Sequence, residues 1–66
     1  MKLSVDKEAG ALYLRLDETS IVDSEEVSPG VVLDYNRRDE VVGVEILNLA
    51  RRSTPPDLSS LQFETA

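Results

Sequence analysis

Between Val31 and Ala50 the chain reads VVLDYNRRDEVVGVEILNLA, two apolar runs in strand alternation on either side of a charged loop. Strand side chains alternate with period two, so Val31, Leu33 and Tyr35 share one face, as do Val42, Val44 and Ile46. Making those faces coincide sets Tyr35 opposite Val42, Leu33 opposite Val44 and Val31 opposite Ile46. A slip by one residue would turn the whole apolar set into water. Asn36 then faces Val41, and Arg37–Glu40 closes a four-residue loop, a common hairpin length. Val32, Asp34 and Glu45 point to the other face with Gly43. A glycine inside a strand marks a bulge or a close approach of packed groups, and that reading is preferred here to a ligand contact.

A similar hairpin opens the chain. Leu3 and Val5 precede the turn signal Asp6-Lys7-Glu8-Ala9-Gly10, and Ala11–Leu16 alternates, with Leu12, Leu14 and Leu16 inward and Tyr13 and Arg15 outward. Pairing Val5 with Leu12 and Leu3 with Leu14 leaves Lys7–Gly10 as a second four-residue loop. The two hairpins stand at an offset of 30 residues: Leu3, Val5, Asp6, Leu12, Leu14 and Leu16 map onto Leu33, Tyr35, Asn36, Val42, Val44 and Ile46. Duplication and convergence of two amphipathic hairpins both produce this pattern.

Asp17–Ser20 reads as a polar turn. Ile21–Val27 is a weaker strand crowded by Asp23, Glu25 and Glu26, charges of the kind that protect a sheet edge. Ser28-Pro29-Gly30-Val31 carries the type II turn signature. After Ile46 the period changes. Asn48 is placed to N-cap a short helix through Arg52, and Pro55-Pro56 ends it. The expected architecture is α+β but mainly β: a single antiparallel sheet of about five strands, a meander containing the two similar hairpins, with a short C-terminal helix over its apolar face. Residues 1–52 form one compact domain, and 53–66 a proline-containing tail. Three readings of the tail stand side by side: disordered, docked on the chain's own sheet, or folding on a partner. The third makes Leu58, Leu61 and Phe63 the candidate partner-binding residues.

With 66 residues the chain buries only about 60% of its unfolded surface, and it has no cysteine to staple the fold. A marginal core of this kind is completed by self-association or a partner. Thirteen acidic against seven basic residues leave a net charge of −6, which argues against nucleic-acid binding by phosphate neutralisation. No apolar run approaches a membrane span and the N-terminus lacks an apolar signal core, so a cytoplasmic protein is expected.

The blocks Asp6-Lys7-Glu8-Ala9-Gly10-Ala11-Leu12-Tyr13-Leu14-Arg15-Leu16, Ser24–Tyr35 (SEEVSPGVVLDY) and Val41–Leu47 (VVGVEIL) stand in one order. In that order they resemble a small bacterial family, domain of unknown function 2283, over about Met1 to Arg52. Gly10 replaces the family's usual aspartate, and Arg37–Glu40 lacks its usual loop glycine. The resemblance implies a compact, mainly β domain with no assigned activity or catalytic residue. Members are often encoded beside small toxin-like proteins, which raises an antitoxin-like role.

Without His, Cys or Trp, nucleophile–imidazole chemistry is absent and carboxylate pairs are what remain. Asp34 and Glu45 lie diagonally on the outer face, joined by Arg15 and Tyr13 if both hairpins share a sheet. A buried carboxylate dyad can do acid–base work, but a wet polar face predicts the same pattern. Asp23, Glu25 and Glu26 do not match a calcium loop, and three scattered glycines do not make a phosphate cradle. Arg37-Arg38 and Arg51-Arg52 read as exposed loop and helix-end charges, with contact to an acidic partner as the sharper alternative. The sequence therefore predicts a non-catalytic protein–protein interaction module without cofactor or metal, its partner either a basic, toxin-like protein or a second copy. Two alternatives accompany it: a small ligand-binding or catalytic domain using Arg15, Asp34 and Glu45, and a structural subunit of a homo-oligomer.

Overall fold

A computed structural model describes all 66 residues. The first hairpin joins β1 (Lys2–Asp6) to β2 (Ala11–Arg15) in the expected register, Leu3 opposite Leu14 and Val5 opposite Leu12. Asp6 shapes its turn by accepting the Ala9 amide on Oδ1 at 3.0 Å, and Gly10 closes it at φ 66. β3 (Asp23–Ser28) and β4 (Val31–Tyr35) are linked through Pro29-Gly30, with Gly30 at φ 81 as a type II turn requires. β5 (Val41–Ile46) completes one antiparallel sheet of five strands.

The strand order is β1-β2-β5-β4-β3, so the chain does not run as the expected simple meander. β2 pairs with β5, Leu12 opposite Ile46 and Leu14 opposite Val44, and residues 16–22 carry the chain across to the far edge. This order puts the most apolar strands side by side at the centre. It sends β3, exposed at all six positions and bearing three carboxylates, to the edge where those charges stay solvated.

The β4–β5 register agrees with the sequence pattern at Val31–Ile46 and Leu33–Val44 but not at Tyr35, which faces Val41 rather than Val42. A bulge takes up Val42 as an extra residue between the Asp34–Gly43 and Tyr35–Val41 pairs. The loop explains the shift. Asn36 Oδ1 accepts the Arg38 and Glu40 amides at 3.0 and 3.1 Å, and the Asn36 amide donates to the Glu40 carbonyl at 3.0 Å. Asp39 sits at φ 61 in this wrap. Asn36–Glu40 thus closes tightly around one side chain, and the strand adjusts behind it.

The expected helix from Asn48 to Arg52 is a single 3₁₀ turn, Leu49–Arg51. Asn48 adopts a left-handed conformation at φ 58 and makes no side-chain cap. With prolines close behind, too few residues follow Ile46 to meet the cost of nucleating an α-helix. The turn serves as a clip instead of a lid: the Leu47 amide donates to the Gly30 carbonyl at 2.7 Å and the Leu49 amide to the Gly10 carbonyl at 2.8 Å. The exit strand is thereby tied to both neighbouring turns, and Leu49 is buried against them.

The pairings also give the 30-residue offset a geometric meaning. Leu14 and Val44, equivalent under it, are direct partners; Leu3–Leu14 becomes Leu33–Val44, and Leu12–Ile46 becomes Val42–Leu16, where the Leu16 amide meets the Val42 carbonyl at 2.8 Å. The unit β1-β2-β5-β4 therefore has a pseudo-two-fold axis normal to the sheet between Leu14 and Val44. Only β3 lacks a counterpart.

No second layer covers this sheet. Val42 and Leu49 are the only buried hydrophobic residues. The radius of gyration is 12.9 Å, against roughly 11 Å for a compact chain of this length. The Gly10 turn supplies a first prediction. A Cβ there would stand 3.0 Å from the Ala50 amide nitrogen at a positive φ, so Gly10→Ala is expected to lower stability by about 1–2 kcal/mol in urea unfolding. Ala9→Gly, in the same turn without that constraint, should cost less.

Candidate functional site

Two rungs of side chains cross the polar face. One runs Lys2, Arg15, Gly43, Asp34, Ser24; the next runs Ser4, Tyr13, Glu45, Val32, Glu26. Arg15, Asp34 and Glu45 thus share one face of one sheet, as the register required, with Asp34 and Glu45 on diagonal positions.

Their environments differ. Asp34 is only 4% exposed and accepts the Ser24 hydroxyl on Oδ1 at 2.6 Å. It fits because its rung partner is Gly43: an added Cβ there would lie 2.6 Å from the Tyr13 hydroxyl and 2.8 Å from Asp34 Oδ2. Tyr13 and Asp34 lean over the glycine from opposite sides, so the close-packing explanation of Gly43 holds, with the bulge one residue earlier. Glu45 is half-buried in the adjacent rung.

Arg15 turns away from both carboxylates. Its Nε donates to the Asp17 carbonyl at 2.6 Å and its Nη2 to the Thr19 carbonyl at 2.5 Å, while Nη1 lies 3.5 Å from the Tyr13 hydroxyl. The bond to Tyr13, with the Tyr13, Glu18 and Asp17 charges, holds the guanidinium above its already high pKa. Thr19 donates its hydroxyl and amide to Asp17 Oδ1 at 2.5 and 2.8 Å, and these bonds hold the Asp17 carboxyl below the usual range. Asn36 Nδ2 reaches the same Thr19 hydroxyl at 3.1 Å and Glu40 Oε1 at 3.0 Å. Arg15 and Asn36 therefore strap the β2–β3 crossover to the sheet. Asn36, 6% exposed, was not among the residues singled out by sequence. Its signal was an asparagine ending a strand at the mouth of a charged loop.

Beside this strap is an open cleft of about 740 Å³ lined by Glu18, Thr19, Ser20, Val22, Asn36, Arg37, Arg38 and Glu40. Arg37 and Arg38 meet two carboxylates there, so the cleft has no single sign of charge. Asp23 and Glu25 share the face of β3 that carries Tyr35 and Leu33 opposite them, while Glu26 lies on the polar face, so the three carboxylates do not gather at one point.

The opposite face is apolar: Leu3, Leu14, Val44 and Leu33 in one rung, Val5, Leu12, Ile46 and Val31 in the next. Leu3 is exposed and the others are half-buried, with Glu25 ending the first rung on β3. At this margin desolvation, followed by the Glu25 and Asp39 charges, pushes the Tyr35 hydroxyl above its ordinary pKa. In the tail, Ser59 donates its amide and hydroxyl to Asp57 Oδ1 at 3.0 and 2.6 Å, which lowers the Asp57 pKa and folds a turn around half-buried Leu58. Leu61 is 54% and Phe63 83% exposed.

The chain belongs to the family described as "Protein of unknown function (DUF2283)", whose model matches residues 2–49. The match takes in the whole sheet and the start of the 3₁₀ turn and stops before the tail. Neither curated proteins nor solved structures give a match. No helix is long and apolar enough to cross a membrane.

Two measurements check this geometry. Gly43→Ala must push Tyr13 or Asp34 aside and is expected to cost about 1–3 kcal/mol in urea unfolding, as overpacking does. Asp17 should titrate below the ordinary aspartate range in a carboxyl-carbon NMR titration and move upward in Thr19→Val. Its folded pKa is depressed, so its stabilisation is complete above the unfolded pKa and is lost as pH falls through the folded one.

Proposed function

We propose that this protein is a non-catalytic protein-binding module of the cytoplasm that engages a basic protein, toxin-like in kind, through its tail. One observation carries the reading. Phe63, the chain's single phenylalanine, lies almost fully exposed beyond the sheet, with exposed Leu61 beside it and Leu58 in the turn before them. Aromatic anchors flanked by aliphatic ones are the side chains from which binding hot spots are built, and a polar segment around them can order on a partner surface. The net charge of −6 supplies long-range attraction to a basic partner. The genomic company that the family resemblance implies agrees with such a partner.

The polar-face alternative has less support from the geometry. Arg15 directs its donors to the crossover backbone, and Asp34 is engaged by Ser24. The test is affinity capture from source-cell extract with the full chain, beside a variant carrying Leu58→Ser, Leu61→Ser and Phe63→Ser. A basic partner retained by the parent and lost at least tenfold by the variant is the expected result. Equal retention by both forms removes the tail from the reading, and no retention by either overturns it.

A further inference from the structure

The sheet has one apolar face and no helix or second sheet laid over it. A compact chain of 7.3 kDa exposes roughly 4,200 Å², whereas this one exposes 5327 Å². The surplus, roughly 1,100 Å² by that scaling, includes the tail, where every residue from 53 to 66 except Leu58 is exposed; in the apolar rungs Leu3 is exposed and the other seven side chains are half-buried. The 3₁₀ turn that might have served as cover is fixed at the turn end of the sheet by its bonds to Gly30 and Gly10.

We propose that a second copy of this chain covers the apolar face, the two sheets stacking face to face about a two-fold axis parallel to their strands. Symmetry is the first argument. β1-β2-β5-β4 is related to itself by the pseudo-two-fold between Leu14 and Val44, so its two halves offer equivalent apolar rungs. Stacked on this centre, β2 of one copy lies over β5 of the other, Leu14 over Val44, and β1 over β4, Leu3 over Leu33. The face is then self-complementary in composition, as an isologous contact demands, and the sheets pack in the aligned manner of a sandwich.

Charge is the second argument, and it selects the axis. The paired four-strand units carry no charged side chain in the two apolar rungs; the first such charge is Glu25, on β3. A two-fold parallel to the strands leaves each β3 overhanging on opposite sides of the pair, its carboxylates in water. A two-fold across the strands would set β3 over β3 and bring Glu25 against its copy. The uniform exposure of β3 also fits an overhang. A basic protein partner is the weaker occupant for this face, which offers it no charge to recognise.

The inference rests on the sheet alone and not on the tail reading above. Sedimentation equilibrium of the full chain at micromolar concentration should give twice the 7.3 kDa chain mass. In a mixed sample of labelled and unlabelled chains, isotope-filtered NOEs should connect Leu14 of one copy with Val44 of the other. The Leu58→Ser, Leu61→Ser, Phe63→Ser variant should keep both signals, which separates this surface from the tail. Leu14→Asp should halve the mass; because that change could also unfold the chain, the NOE map of the unmodified protein decides. A monomeric mass at that concentration overturns the proposal. So does a dimer whose intermolecular NOEs join Lys2–Asp6 of one copy to Lys2–Asp6 of the other, as pairing of the β1 edges would, or fall on Phe63.

Discussion

The structure depends on the pairing of β2 with β5. Each hairpin closes on its own through a short turn, but an isolated two-stranded hairpin is marginal in water. Joining them through Leu12–Ile46 and Leu14–Val44 makes a four-stranded unit with its most apolar residues at the centre. Everything else follows from that junction. β3 can reach only the far edge, the connection from Leu16 to Val22 must cross the end of the sheet, and the chain leaving β5 emerges between the Gly10 and Gly30 turns that it then ties together.

Two fastenings hold that arrangement, one at each end of the sheet. At the crossover end Arg15 and Asn36 grip the backbone and hydroxyl of Thr19, while Asp17 organises the bend. At the other end the Leu47 and Leu49 amides meet glycine carbonyls. Neither fastening is apolar, which suits a chain with so little interior. Charge-assisted hydrogen bonds to backbone are stronger than neutral ones, and a cation committed to two carbonyls is correspondingly less free to serve a reacting group.

The hairpins, their registers at Leu3–Leu14 and Leu33–Val44, the Pro29-Gly30 turn and the edge character of β3 were legible because alternation and turn chemistry are local. The strand order was not. Leu12 and Leu14 pair equally well in pattern with either neighbour, and only the summed preference for an apolar centre and an acidic edge places β5 beside β2. The bulge at Val42 was hidden because it arises from Asn36 gathering two amides of its own loop. Among the polar-face residues, their common face was readable from parity. The turning of Arg15 towards Thr19 was not, since it needs the path of the crossover.

The same parity argument bears on why the chain has two such different faces. The polar rungs are met by partners or by water: Asp34 by Ser24, Arg15 by the crossover, Gly43 leaving room for Tyr13, and the remaining polar side chains by solvent. A face whose groups already have partners can remain in water at no penalty. The apolar rungs have no helix or second sheet of the same chain over them, and Leu47–Arg51 is committed to the clip at the turns. Burial of apolar surface is the main favourable term in folding, and a single-layer sheet leaves part of its apolar face unburied. The similarity of the two hairpins favours the second copy we propose as the remedy, since a face that nearly repeats itself under rotation is close to matching a copy of itself.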